Sequence, residues 1–175
     1  MKTDIQELSD EVRERAARVE LLLMDCDGVL TDGRLFFGPD GEALKVFHAR
    51  DGEGIAHWSK TLGLPSGVIS GRSSPMVELR GKQLGMIYIN QGRKDKAVAL
   101  NEILDQSGIP ADKTCFIGDD TPDIQVFERV GFAVAVGDAH HKTKAAAHWI
   151  TPSDGGRGAV REVIDLILSV RSSDK

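Results

Sequence analysis

The sequence predicts a doubly wound α/β fold, a parallel sheet with helices on both faces, and three observations support it. Short apolar runs recur along the chain, each ends at a polar or glycine-bearing turn, and most are followed by apolar residues at helical spacing. The 19 glycines lie mostly beside those runs, which favours tight strand-to-helix turns over a flexible linker.

In chain order, Ile5, Leu8, Val12, Ala16 and Val19 recur at helical spacing among charged residues, predicting an amphipathic helix within residues 1–19. Leu21-Leu22-Leu23-Met24 reads as a buried strand that ends at Asp25. Gly67–Ile69, Met86–Ile89, Thr114–Ile117 and Phe132–Val136 repeat that pattern as strands. Helical patterns fill Ser74–Lys82, Lys94–Ser107, Pro122–Arg129 and His140–Ala147. A last helix, Ala159–Val170, gathers Val160, Val163, Ile164, Ile167 and Leu168 on one face. Residues 33–48 break the alternation. There Arg34–Phe37 and Ala43–Phe47 flank the turn signal Gly38-Pro39-Asp40-Gly41, so a small β-hairpin is inserted after the first strand.

A chain of 175 residues suits one domain, and residues 1–175 read as a single unit. Its 41% hydrophobic and 28% charged residues fit a soluble globular protein. The formal charge of −5 argues against nucleic acid as the main partner, because phosphate backbones select basic surfaces. A local basic site for a small anion remains compatible with it. Cys26 and Cys115 sit inside apolar runs and read as core residues rather than a disulfide framework. No apolar run approaches the ~18 residues of a membrane span. The opening MKTDIQELSDEVRERAARVE is too charged for a secretory signal. The expectation is a cytoplasmic protein with no membrane partner.

Ligands of a parallel sheet collect at the carboxyl ends of its strands. Four polar clusters fall there: Asp25-Cys26-Asp27-Gly28, Ser70-Gly71-Arg72, Lys94-Asp95-Lys96, and Gly118 to Asp123. Asp25 and Asp27 are two residues apart, and period-two geometry lets both face one side. Two ionised carboxylates in one place need a compensating cation, for which oxygen-seeking Mg²⁺ is suited, and Asp119 can complete the set. A lone Asp-x-Asp is more often a turn or a helix cap; the second acidic cluster after another strand weighs against that. Ser70 with Gly71 offers neutral hydrogen-bond donors and Lys96 a positive charge, which together suit the charge that spreads during phosphoryl transfer. Singly, either would be an ordinary loop or surface residue.

DCDGVLTDG, VISGR, the lysine of KDKAVAL, and GDDTPD together resemble the four ordered motifs of the haloacid dehalogenase superfamily, spanning Asp25 to Asp123. The surrounding DGVLTDG, hairpin, KVFHARDGEGI and GGRGAVREV are similar to a branch whose members dephosphorylate an eight-carbon sugar-acid phosphate. That likeness runs from Leu21 to Leu168. It implies a Rossmann-like sheet of the haloacid dehalogenase type without a large cap domain, which the short hairpin matches.

By the same resemblance, Asp25 is the nucleophile that forms an aspartyl-phosphate. Asp27 is the general acid and base, and its backbone carbonyl rather than its side chain meets the metal. Asp25 and Asp119 bind Mg²⁺, while Asp120 and Asp123 hold coordinated waters or Lys96. Ser70 and Lys96 contact the phosphoryl group, and the lysine pattern favours Lys96 over Lys94. His48, Arg50, Asp51 and Gly52, with Gly71, Arg72 and Arg80, hold the sugar acid, since an Arg fork suits a carboxylate. The eight-residue spacing lets one helical face carry Arg72 and Arg80; alternatively Arg80 is a solvated surface charge. The segment Gly155-Gly156-Arg157-Gly158 approaches a neighbouring subunit's site, with Arg157 a contact, and on its own reads as a helix start. The hairpin and this segment help assemble a homotetramer, which would bury Phe36, Phe37 and Phe47. Trp58 and Trp149 read as core or interface residues. His48 and Gln125 depart from the branch's usual Asn and Pro. The first bears on sugar recognition and the second on helix-start geometry.

Three other readings stay open at this point. A response-regulator receiver shares an Asp, Mg²⁺ and Lys, but its acidic pair precedes the phosphoacceptor. A non-catalytic oligomerisation module would not need four intact motifs. A nine-carbon sugar-acid phosphate as substrate is compatible with the same motifs.

Overall fold

The structure is a computed structural model that describes residues 8–173, and Ile5 of the expected first helix lies outside them. Helix α1, Asp10–Ala17, starts at Ser9, whose side chain accepts from the Val12 amide at 3.3 Å. It buries Val12 and Ala16. Strand β1, Leu21–Met24, follows with every residue buried. Burial of each Leu there contributes about 1.5–3 kcal/mol. The hairpin strands β2, Phe36–Gly38, and β3, Gly41–Leu44, pair antiparallel as a separate two-stranded sheet.

Helix α2, Ala49–Ala56, then runs into a π-helical turn over His57–Thr61. This element has no counterpart in the sequence reading, because its apolar face is short and Gly52 and Gly54 interrupt its helical pattern. The strands β4, Ser66–Ile69, β5, Tyr88–Asn90, β6, Thr114–Gly118, and β7, Phe132–Ala135, match the expected runs within two residues. Helix α3, Pro75–Leu84, opens on a proline and ends at Gly85, whose φ of 83° only glycine adopts cheaply. Helix α4, Lys96–Ser107, is capped by Asp95, which accepts from the Val98 amide at 3.1 Å.

The helix expected over Pro122–Arg129 is shorter: a 3₁₀ turn at Thr121–Asp123 leads into α5, Ile124–Phe127. After α6, His141–Ala146, comes a two-residue strand β8, Trp149–Ile150, too short to leave a periodic signal. Helix α7, Ala159–Ser173, closes the described chain. Trp58 is fully buried, and Trp149 is half-buried against the core.

The main sheet has the order β5-β4-β1-β6-β7-β8, with every pairing parallel. By their mutual contacts the helices form two groups, α1, α2, α3 and α7, and α4, α5 and α6, one on each face. This is the doubly wound sheet expected, with the hairpin as its small insertion. Register then places the chemistry. Met24 pairs with Val68 on one side and Ile117 on the other, so Asp25, Ser70 and Asp119 emerge at neighbouring strand tips. Among the described residues, no helix is long and apolar enough to cross a membrane.

Candidate active site

A cavity of about 380 Å³ opens at those tips, lined by Asp25, Asp27, Ser70, Gly71, Arg72, Arg93, Lys94, Lys96, Asp119, Asp120 and Pro122. Lys96 is its electrostatic pivot. Standing at the first turn of α4, its Nζ lies 2.7 Å from Asp25 Oδ2 and donates to Asp123 Oδ1 at 2.6 Å. Burial alone would lower its affinity for a proton, but Asp25 and Asp123 outweigh burial and keep the ammonium above its ordinary pKa. Lys94 lines the cavity from an exposed position and makes no such pair in the structure. Asp25 is fixed at both oxygens, since Oδ1 accepts from the Cys26 amide at 2.6 Å.

Asp123 is fully buried, and its Oδ2 accepts from the amides of Asp119 (2.9 Å) and Asp120 (3.2 Å). It thus shapes the loop that presents Asp119. Asp120 is exposed, and its Oδ1 accepts from the Thr121 amide at 2.7 Å. Gln125 donates to the Pro122 carbonyl at 3.0 Å, holding the short turn that a proline would otherwise stiffen. Ser70 is 3% exposed, and its Oγ accepts from the Arg72 amide at 3.3 Å.

The carboxylates of Asp25, Asp119 and Asp123 offer oxygens that all lie within 4.8 Å of one another. Three carboxylates facing a single ammonium leave two negative charges uncompensated. Burial first, and the neighbouring carboxylates Asp25 and Asp123 second, push Asp119 up to about 8. Burial and then Asp123 raise Asp25 to about 6, against the pull of Lys96. Asp119 Oδ1 is buried without a hydrogen-bond partner. An orphaned buried carboxylate oxygen inside a doubly negative cluster fits a divalent cation with oxygen preference. Gly28, at φ 90°, faces the same spot, and a Cβ built on it would overlap Asp119 Oδ2.

The loop around Gly28 is walled by another glycine pair. A Cβ on Gly155 would overlap the Gly28 carbonyl, and one on Gly156 would overlap the backbone of Thr31 and Asp32. Gly156 donates its amide to the Val29 carbonyl at 2.9 Å. In its own chain, then, the Gly155–Gly158 segment buttresses the Asp25 loop. Arg157 stays exposed, 3.7 Å from Asp32, and does not line the cavity.

Several expectations need correction. β1 ends at Met24, so strand alternation does not place Asp27; Asp25 and Asp27 share the cavity through the turn that follows. Asp27 stands outside the three-carboxylate cluster, paired instead with Lys45 and, at 3.5 Å, with Arg72 Nε. Arg72 and Arg80 do not share a helical face, because Arg72 precedes α3 and only Arg80 is on it. Arg80 packs over the Phe47 ring at 5.9 Å, and its guanidinium fills the space beside Gly52. Phe47 is accordingly half-buried against the core, whereas Phe36 and Phe37 are exposed.

Asp51 is 1% exposed, and its oxygens accept from the amides of Gly158 (3.1 Å) and Arg161 (2.8 Å). It caps the start of α7 and lies outside the cavity lining. His48, Arg50 and Gly52 likewise lie outside the cavity lining, with His48 Nδ1 3.7 Å from Asp51. The sequence reading missed Lys45, Glu42 and Arg93. Lys45 was legible only as a charged residue inside an otherwise apolar strand run, Ala43–Phe47.

Comparison with known proteins places this geometry. Residues 71–164 match the haloacid dehalogenase-like hydrolase family. The 3-deoxy-D-manno-octulosonate 8-phosphate phosphatase KdsC of Yersinia pestis is 44% identical over 161 residues, 92% of this chain and 86% of that protein. The crystal structure of the Y. pestis phosphatase superposes with a TM-score of 0.91 at 42% identity, covering 94% of this chain and 89% of that one. The Moraxella catarrhalis phosphatase, solved with magnesium, phosphate and KDO, superposes at 0.90 with 37% identity and 95% of each chain covered. The chain belongs to the haloacid dehalogenase-like hydrolase family. Within that family it is similar to the 3-deoxy-D-manno-octulosonate 8-phosphate phosphatases.

Proposed function

We propose that this protein is a Mg²⁺-dependent phosphatase that converts 3-deoxy-D-manno-octulosonate 8-phosphate to the free sugar acid and phosphate, a step supplying lipopolysaccharide precursors. The observation that carries the reading is the meeting of Asp25, Lys96, Asp119 and Asp123 around one anionic pocket mouth. The similarity to phosphatases named for that substrate supports the choice of sugar.

Asp25 attacks phosphorus and forms an aspartyl-phosphate. Asp27 gives a proton to the departing sugar oxygen, then takes one from the water that hydrolyses the acyl phosphate. Lys96 and Ser70 stabilise the phosphoryl oxygens as charge spreads over them. Asp25, Asp119 and the Asp27 carbonyl would hold Mg²⁺, which when bound neutralises negative charge between carboxylates and phosphate. Asp120 and Asp123 steady that set. Arg72, at the cavity edge, is the cation best placed for the substrate's carboxylate, with Gly71 admitting backbone approach. His48, Arg50, Asp51, Gly52, Arg80 and Arg157 lie outside the cavity of their own chain, so their part in sugar binding is with the portion of the substrate beyond it or with the site of a neighbouring subunit.

A homotetramer is part of the same reading. Leu35, Phe36, Phe37, Leu44 and Val46 present exposed apolar surface on and beside the hairpin, which a neighbouring copy would cover.

A panel of phosphorylated sugars and sugar acids, ranked by kcat/KM, tests the substrate. The eight-carbon acid should lead. A lead for a nine-carbon acid would reassign the sugar, and no phosphate release from any member would make the chain a non-catalytic module.

A further inference from the structure

The hairpin carries a nearly buried lysine that the phosphatase chemistry leaves unexplained. Lys45 follows β3, and its side chain is only 2% exposed. Its ammonium meets Asp27 Oδ1 and lies 3.0 Å from Glu42 Oε1. Glu42, with its side chain 12% exposed, in turn faces Arg72 NH2 at 3.3 Å. Arg72 Nε closes the ring at 3.5 Å from Asp27 Oδ2. Two carboxylates and two cations, drawn from the Asp25 loop, the hairpin and the loop after β4, thus form a charge-balanced circle.

Removing a lysine from water costs several kcal/mol unless its partners are well placed. A lysine at the foot of a surface hairpin has an easy alternative, which is to extend into solvent. Its inward position needs a reason. Asp27 and Arg72 line the cavity, whereas Lys45 does not, so Lys45 reaches Asp27 from outside the cavity lining. It grips one carboxylate oxygen, while the other is left to a longer contact with an Arg72 side chain that is 42% exposed.

We propose that Lys45 is a positioning residue for Asp27, making the hairpin part of the proton-transfer apparatus. Resting on the assignment of Asp27 as the general acid, the proposal gives Lys45 one task. It fixes the Asp27 rotamer so that the second oxygen points at the leaving-group oxygen. Glu42 holds Lys45 in place from the other side.

The test compares first-turnover rates of leaving-group release from 3-deoxy-D-manno-octulosonate 8-phosphate and from p-nitrophenyl phosphate, whose phenolate departs without a proton. Lys45→Met keeps the length of the side chain and removes its charge. For the sugar substrate it should slow release about 10- to 100-fold, the range expected for a misaimed acid, with KM changed less than about threefold. Release of p-nitrophenol should stay within about threefold of wild type. Lys45→Arg should recover most of the loss. If the methionine variant does not fold, Lys45→Gln is read by the same split. Asp27→Asn is the control. If it lacks leaving-group selectivity, the assignment of Asp27 fails. If it shows that selectivity while Lys45→Met slows both substrates equally, or neither, Lys45 is only a structural clip and the proposal is overturned.

Discussion

Gly28 and Asp119 stand so close that a Cβ on the glycine would overlap the aspartate carboxylate. Gly28→Ala therefore meets two obstacles at once. The φ of 90° costs a non-glycine residue about 1–2 kcal/mol, and relief of the overlap must displace the Asp119 carboxylate from its present position. Activity should fall at least about 100-fold, with a higher Mg²⁺ concentration needed for half-activation. A metal titration of activity, alongside circular dichroism to establish folding, checks this; an unchanged half-activation point would contradict it.

Asp25→Asn keeps the size of the side chain and removes the nucleophile. Turnover should drop to background while the melting temperature in EDTA stays level or rises, because one of three crowded carboxylates has gone. Trapping of phosphate on the wild-type protein, and none on the variant, would identify the attacking group.

Removal of the metal should expose a pH dependence of stability. Asp119 has a folded pKa of about 8 against an ordinary 3.8, and Asp25 about 6 against the same 3.8. The folded state therefore binds more protons than the unfolded state between those values, and stability falls as pH rises through them. In EDTA the melting temperature should decline from about pH 4 to pH 8. Mg²⁺ should restore it most at the upper end, where the carboxylates are ionised. Differential scanning fluorimetry across that range, with and without Mg²⁺, is the measurement; a metal effect equal at all pH values would contradict the charge argument.

Asp51→Ala should behave as the loss of a helix cap. Two amides at the start of α7 lose their acceptor, at a cost of about 1–3 kcal/mol. Thermal stability should fall while KM for the sugar phosphate stays within about twofold. A large rise in KM with unchanged stability would return Asp51 to the substrate.

The parts of the site legible in the sequence are those that sit at strand ends. Asp25, Ser70 and Asp119 each terminate an apolar run, and parallel register brings such ends together. The family pattern singles out Lys96 over Lys94, and the structure starts α4 at Lys96 rather than at Lys94. Asp123 needed the motif as a whole, since its task is to accept the amides of Asp119 and Asp120. What escaped are pairings set by tertiary placement rather than by period. Asp51 meets Gly158 and Arg161 across more than a hundred residues, and Lys45 reaches Asp27 by folding back from the hairpin. The resemblance places Asp51 in a substrate segment; the structure adds a second task, acceptor for the amides at the start of α7, which no sequence period announces.

The placement of β1 between β4 and β6 has a further consequence for synthesis of the chain. The strand leading to Asp25 is made before both of its neighbours, and the second of them begins only at Thr114, about ninety residues later. The glycines that press on its loop come later still, at Gly155 and Gly156. A growing chain therefore holds four apolar residues without their second strand partner while the intervening segments are made, because long-range parallel pairing closes late.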